Sequence, residues 1–168
     1  DFTRSRKISF SDCMMSVVCM HGGTLFSEIL EYFPRNMDVP TVSAYLQQRA
    51  KIKQSAFEEL FNATITLHQE AKSYRGYRLL AADGSDVQIP TNPNDTDTFF
   101  PGTNGQKPYN LVHLNALYDI LSNTYQYAVV QDRLKFAEHE ALNQMVDRSR
   151  ITRAILTADR GYESYNIM

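Results

Sequence analysis

Two short apolar runs constrain the fold more than any other feature of this chain. In "YRLLAAD", residues 77–83, apolar side chains fall on both faces of an extended segment, "AILTAD", residues 154–159, is a second short apolar run, and each ends on an acid, Asp83 and Asp159. A strand that is apolar on both faces is buried on both, which is the habit of a central strand in a sheet covered by helices. A carboxylate has no place in that interior, so each acid has to stand where its strand leaves the core.

The sequence between the runs sets how they meet. After Asp83 comes "TNPNDTDTFFPGTNGQKPYN", dense in turn formers and without a period, which reads as a long functional loop that packs poorly over 91–108. "LVHLNALYDI" and "TYQYAVVQ" follow as two strands joined by a turn at 121–123, hence a hairpin. A helix is expected from about Glu138 to Arg148, and another from about Glu163. Three strands pairing in sequence, then a crossover helix and a strand returning parallel beside the first, make a mixed α/β sheet with helices on its faces. Asp83 and Asp159 then project from neighbouring strands although 76 residues separate them (159 − 83 = 76). Like charges at short range demand neutralisation. A hard divalent ion with oxygen ligands supplies it, and Mg²⁺ takes only one or two protein carboxylates.

The first 72 residues have a different character. Ser9 with Asp12 caps a helix, Thr24 caps a second carrying Leu25, Ile29, Leu30 and Phe33 before Pro34, and a third follows Pro40. Ser55 with Glu58 reads as the capping box of a fourth, whose stripe runs Phe57, Leu60, Phe61, Thr64, Ile65 and His68. The division is therefore 1–72, all helical, and 73–168, α/β.

Composition narrows the partners. No apolar run approaches the roughly 20 residues of a membrane span. Seventeen Lys and Arg against 19 Asp and Glu leave a net charge of −2, so no global basic field announces nucleic acid. Cys13 and Cys19 have neither zinc-knuckle nor disulfide spacing and read as buried thiols. Asp86, three residues from Asp83, falls on the opposite face and reads as solvent-facing. His113 reads as a satisfied core histidine. Glu163 sits in the first turn of its helix, where the dipole favours an acid anyway.

"DGSDVQIP" and "LTADRGYES", with "DFTRSRKISF" upstream, resemble the DDE transposases of bacterial insertion sequences, of the insertion-sequence-four type, over essentially the whole chain. The resemblance implies a ribonuclease-H-like catalytic core, here residues 73–168, incomplete at its C-terminus and preceded by the helical N-terminal region. It makes Asp83 and Asp159 the first two catalytic acids and ligands of a two-metal Mg²⁺ or Mn²⁺ site. The third family acid, a Glu on a later helix, is absent from this sequence, so the chain reads as a fragment with little activity of its own. The implied reaction is cleavage and joining of DNA at transposon ends, by phosphodiester hydrolysis and then strand transfer. Implied partners are transposon-end and target DNA and a second copy in a synaptic homodimer, in the bacterial cytoplasm at the nucleoid, without a membrane. Arg160 and Tyr162, beside Asp159, and Lys107 and Tyr109, at the loop's end, are candidate DNA contacts. A ribonuclease-H-like nuclease without strand transfer and a non-catalytic DNA-binding regulator are the alternatives.

Overall fold

The computed structural model describes residues 8–33, 39–67 and 72–162. The basic residues of the N-terminal "DFTRSRK", Pro34, His68, Glu163 and the helix expected from it lie outside the described residues. The chain divides into two compact units, Asp1–Thr64 and Ile65–Met168.

In the helical unit, local capping chemistry sets the boundaries. Helix α1 (Phe10–Val18) opens on a reciprocal capping box: the Asp12 N–H donates to Ser9 Oγ at 3.0 Å, and the Ser9 N–H to Asp12 Oδ2 at 3.4 Å. Thr24 caps α2 (Leu25–Tyr32) and Thr41 caps α3 (Val42–Arg49), each hydroxyl accepting from the N–H three residues on. Their apolar faces close over Ile8, Cys13, Ile29, Phe33 and Tyr45. Helix α4 (Gln54–Leu67) corrects an expectation: it begins before Ser55, so the Ser55–Glu58 box does not open it, and none of its stripe is fully buried. Cys13 is buried as expected, but Cys19 is exposed.

The second unit is a mixed five-stranded sheet: β1 (Arg78–Ile89), β2 (Phe99–Phe100), β3 (Tyr109–Asp119), β4 (Thr124–Asp132) and β5 (Ala154–Ala158), with α5 (Glu138–Ser149) between the last two. Strand β1 lies between β3, antiparallel, and β5, parallel, while β2 and β4 share the other edge of β3. With the helices that precede it in sequence, this is a ribonuclease-H-like architecture. Ala141, Leu142 and Met145 are the buried residues of α5, and Leu142 and Met145 pack into one core with Leu80, Ala82, Leu117 and Tyr162. Burying each large apolar side chain there contributes about 1.5–3 kcal/mol. No helix among the described residues is long and apolar enough to cross a membrane.

Two expectations are corrected in this unit. The first strand does not stop at Asp83 but runs on to Ile89, because past Ala82 it pairs with β3 alone and the polar residues that follow stay exposed on the other side. The long loop is not poorly packed in its first half. Buried Asn110 accepts from the Asn92 N–H at 2.8 Å and donates to Asn92 O and Thr98 Oγ1 at 3.1 and 2.8 Å, so side-chain amide bonds replace the apolar contacts that the composition lacks. At the opposite end of β1, Arg78 is ion-paired with Asp119, which is fully buried and also accepts from the Leu121 and Ser122 N–H groups.

Candidate active site

Strands β1 and β5 keep register from Arg78 opposite Ala154 to Ala82 opposite Ala158, and one further step brings Asp83 level with Asp159. Both acids are exposed. Each carboxylate accepts from the next residue's N–H, Gly84 at 2.9 Å and Arg160 at 2.6 Å, which aims it back over its own strand end. Because β5 stops at Ala158 while β1 continues, the acids border a notch at the carboxyl end of a parallel strand pair, where ligands of open α/β sheets bind.

Beneath the notch lies Tyr162, 4% exposed, in the 3₁₀ turn Arg160–Tyr162. Its hydroxyl donates to Asn115 Oδ1 at 2.8 Å. Burial pushes the phenol up to about 12, and the negative charges of Glu138, Asp83 and Asp159 add to the rise. Two glycines make this packing fit. A Cβ at Gly84 would meet His113 Nε2 at 2.5 Å and Tyr162 Oη at 3.1 Å, and a Cβ at Gly161 would collide with Glu138 Oε2.

A second layer runs alongside. Asp86 stands directly across the antiparallel ladder from His113, and its Oδ1 lies 2.7 Å from His113 Nδ1 while its Oδ2 accepts from Arg133 at 2.7 Å. The His113 bond, reinforced by Arg133 against the cost of burial, holds the Asp86 carboxyl below its usual range. Phe136 leans on the imidazole with ring centres 4.5 Å apart. The expectation that Asp86 meets solvent holds, since it is exposed, and its carboxylate is in addition paired with His113 and Arg133. The expectation of a satisfied His113 holds for one nitrogen only. Nε2 is buried, has no hydrogen-bond partner, and lies 3.4 Å from Glu138 Oε1. Sequence reasoning missed the approach of Glu138 to His113, and no local pattern marks it.

Of the candidate DNA contacts, Arg160 and Lys107 are exposed. Tyr109 is half-buried and stacked on Phe100 at 5.2 Å between ring centres. Tyr162 is corrected: its ring is in the core and its hydroxyl is taken by Asn115, so it supports the site from beneath and presents no donor to DNA. In the helical unit, His21, Glu28 and Glu31 are, among the described residues, the one trio whose ligand atoms all lie within 4.8 Å of one another. Glu28 is already engaged there, accepting from the His21 and Gly23 N–H groups and closing the loop before α2.

Residues 74–168 match the family model described as the transposase DDE domain. The chain belongs to this family. No curated protein and no solved structure matches it. The matched span holds the whole sheet and both aspartates, and a transposase DDE domain acts on DNA with divalent metal. The residues present fit such an ion. Asp83 and Asp159 offer exposed, all-oxygen donors of the kind Mg²⁺ and Mn²⁺ take, at a notch open to solvent.

Proposed function

We propose that this chain works as an insertion-sequence transposase, with Asp83 and Asp159 as catalytic acids that hold the Mg²⁺ or Mn²⁺ with which transposon ends are cut and joined to target DNA. The observation that supports this reading is the parallel β1–β5 register, which ends at Ala82 opposite Ala158, the residues just before the two acids, inside the matched span. When bound, the metal neutralises charge on the attacking and leaving oxygens of an in-line displacement at phosphorus.

The chain's own residues bind and orient. Asp83 and Asp159 present the donor oxygens, and the Gly84 and Arg160 N–H groups fix their direction. Arg160 and Lys107, both exposed, supply cations for phosphate oxygens. Tyr162 fills the floor and keeps water from the underside of the notch. In hydrolysis a water oxygen bonds to phosphorus as the bond to the 3′-oxygen breaks and leaves a 3′-hydroxyl. In strand transfer the oxygen of that 3′-hydroxyl bonds to a target phosphorus as the target's own bond from phosphorus to a 3′-oxygen breaks, and the hydroxyl proton passes to the departing 3′-oxygen by way of solvent. The N-terminal helices α1, α2 and α3 meet transposon ends or a second copy in a synaptic homodimer.

Melting curves with and without Mn²⁺ test the reading on the wild type, Asp83→Asn and Asp159→Asn. An ion that binds only the folded state raises its stability by mass action, about 2.7 kcal/mol at one hundred times Kd. The wild type should gain stability with millimolar Mn²⁺ and the two variants should not, while both stay folded because removing one of two facing charges relieves repulsion. Equal responses of all three proteins, or unfolding by either substitution, make these acids structural.

A further inference from the structure

We propose that His21, Glu28 and Glu31 form a metal site of their own in the helical unit, which takes one divalent transition-metal ion of the Zn²⁺ kind and ties the loop after α1 to α2. The site lies outside the matched span, and its chemistry is independent of Asp83 and Asp159.

Helix period and a short loop bring the donors together. Glu28 and Glu31 are three residues apart on α2, so they share one face. The loop that joins α1 to α2 turns at Gly22, with φ at +85°, and places His21 against that face. One ligand atom from each of the three lies within 4.8 Å of the other two. His21 Nδ1 stands 4.0 Å from Glu28 Oε2. Donors that bond one Zn²⁺ at about 2.1 Å stand about 3.4 Å apart in a tetrahedron, so this pair has about 0.6 Å to close (4.0 − 3.4). The His21 side chain is 74% exposed and has the freedom to do so.

Glu28 is the residue that calls for a cation. Its side chain is 8% exposed, yet among the described residues no Lys or Arg pairs with it, and its one basic neighbour is His21. A buried charge is paired or coordinates a metal. The backbone brings neutral donors alone, the His21 and Gly23 N–H groups, of which Gly23 stands 2.6 Å from Oε1. Those bonds leave acceptor capacity on Oε2, the oxygen facing the imidazole. They also fix the direction of the carboxylate, as hydrogen bonds to a ligating group do. Glu31 adds a second negative charge on the same face and makes no hydrogen bond or ion pair among the described residues. The plainer account, an acid that closes the loop before α2, explains Glu28. It requires neither a second carboxylate nor an imidazole beside it. All three side chains line one cavity of about 250 Å³, whose wall is completed by Ser16, Cys19 and Tyr32, which leaves room for an ion that keeps water in its remaining places. An imidazole with two carboxylates suits Zn²⁺ better than Mg²⁺ or Ca²⁺, which take oxygen ligands.

The test is calorimetric titration of Zn²⁺ into the whole chain, in excess Mg²⁺ to occupy the all-oxygen aspartates, with circular dichroism of each variant to check folding. The wild type should take up one Zn²⁺ at this site. Glu31→Gln removes the charge of an exposed side chain and should weaken Zn²⁺ binding about tenfold or more, since loss of a ligand costs at least what loss of an outer partner does. His21→Ala should weaken it as far; position 21 is exposed as well, so neither variant depends on a repacked core. Cys19→Ser and Asp83→Asn should bind Zn²⁺ as the wild type does. No Zn²⁺ uptake by the wild type, or wild-type affinity in either Glu31→Gln or His21→Ala, overturns the site. Loss in Cys19→Ser would make the ion thiol-bound, loss in Asp83→Asn would put it at the aspartates, and either result overturns the three-donor site as well.

Discussion

Replacing Gly84 with alanine tests how tightly the layer under the notch is held. The added Cβ would stand 2.5 Å from His113 Nε2, where ordinary contact begins at 3.4 Å, so something must move by about 0.9 Å (3.4 − 2.5). The backbone of β1 is fixed at this point by the β3 ladder. His113 has little room to yield, because it is 6% exposed, tied to Asp86 at 2.7 Å and covered by Phe136. Overpacking of this kind costs about 1–3 kcal/mol. The stiffer unfolded chain of an alanine variant returns about 0.4–1 kcal/mol, leaving a net loss of about 1–2 kcal/mol. Urea unfolding followed by circular dichroism reads it directly. Gly161→Ala is the internal control: its clash is with the free end of Glu138, so its stability should stay within about 0.5 kcal/mol of the wild type. A Gly84→Ala variant as stable as the wild type would refute the packing of His113 against this strand.

At the other end of β1, Asp119→Asn leaves Arg78 without its buried partner and should cost about 3 kcal/mol. Burial raises the Asp119 carboxyl, but the Ser122 N–H and Arg78 outweigh it and hold the group below its ordinary value. Its stabilisation is therefore full above the unfolded value near 3.9 and is lost as pH falls through the lower folded value. Unfolding midpoints between about pH 6 and 2 should show this acid limb in the wild type and a shallower one in Asp119→Asn; identical profiles would remove Asp119 from the account. Asn110→Ala removes the acceptor of the Asn92 N–H and one of the hydrogen bonds of the Thr98 hydroxyl, which keeps Asp95, and should cost about 1 kcal/mol. Limited proteolysis should then open between 91 and 98 first, and a variant as resistant as the wild type would show that Asn110 does not organise the loop.

The elements whose signals are local were legible in the sequence. The Ser9–Asp12 box and the Thr24 cap are written within four residues, and the apolar runs at 77–82 and 154–158 give strands. The parallel return of β5 beside β1 followed from strand order alone. The end of β1 was misplaced because pairing on one side suffices to keep "DGSDVQI" extended, and composition does not report how many neighbours a strand has. Parity put Asp86 opposite Asp83, but which face α5 would cover was not written near either residue. The contacts among Asp86, His113 and Glu138 join positions 27 and 25 residues apart (113 − 86, 138 − 113), so they exist only once the ladder and the helix are in place. Asn110 hid for the same reason: a lone amide in a polar stretch looks like loop until the backbone wraps it.

The parallel ladder has a consequence in time. Strands β3 and β4 close across a turn of a few residues, whereas each β1–β5 pair joins positions 76 apart, as Arg78 and Ala154 are (154 − 78). At the 5–20 residues per second of synthesis, Asp159 is made roughly 4–15 s after Asp83, and long-range pairing is slow to form because the intervening chain must first be ordered. Strand β5 is also only five residues long and, among the described residues, pairs with β1 alone, which puts it among the parts of the sheet that open most readily. Docking of β5 is therefore a gate on the pair of acids: a growing chain has only half of the pair, and a folded one loses it whenever that short strand lifts away.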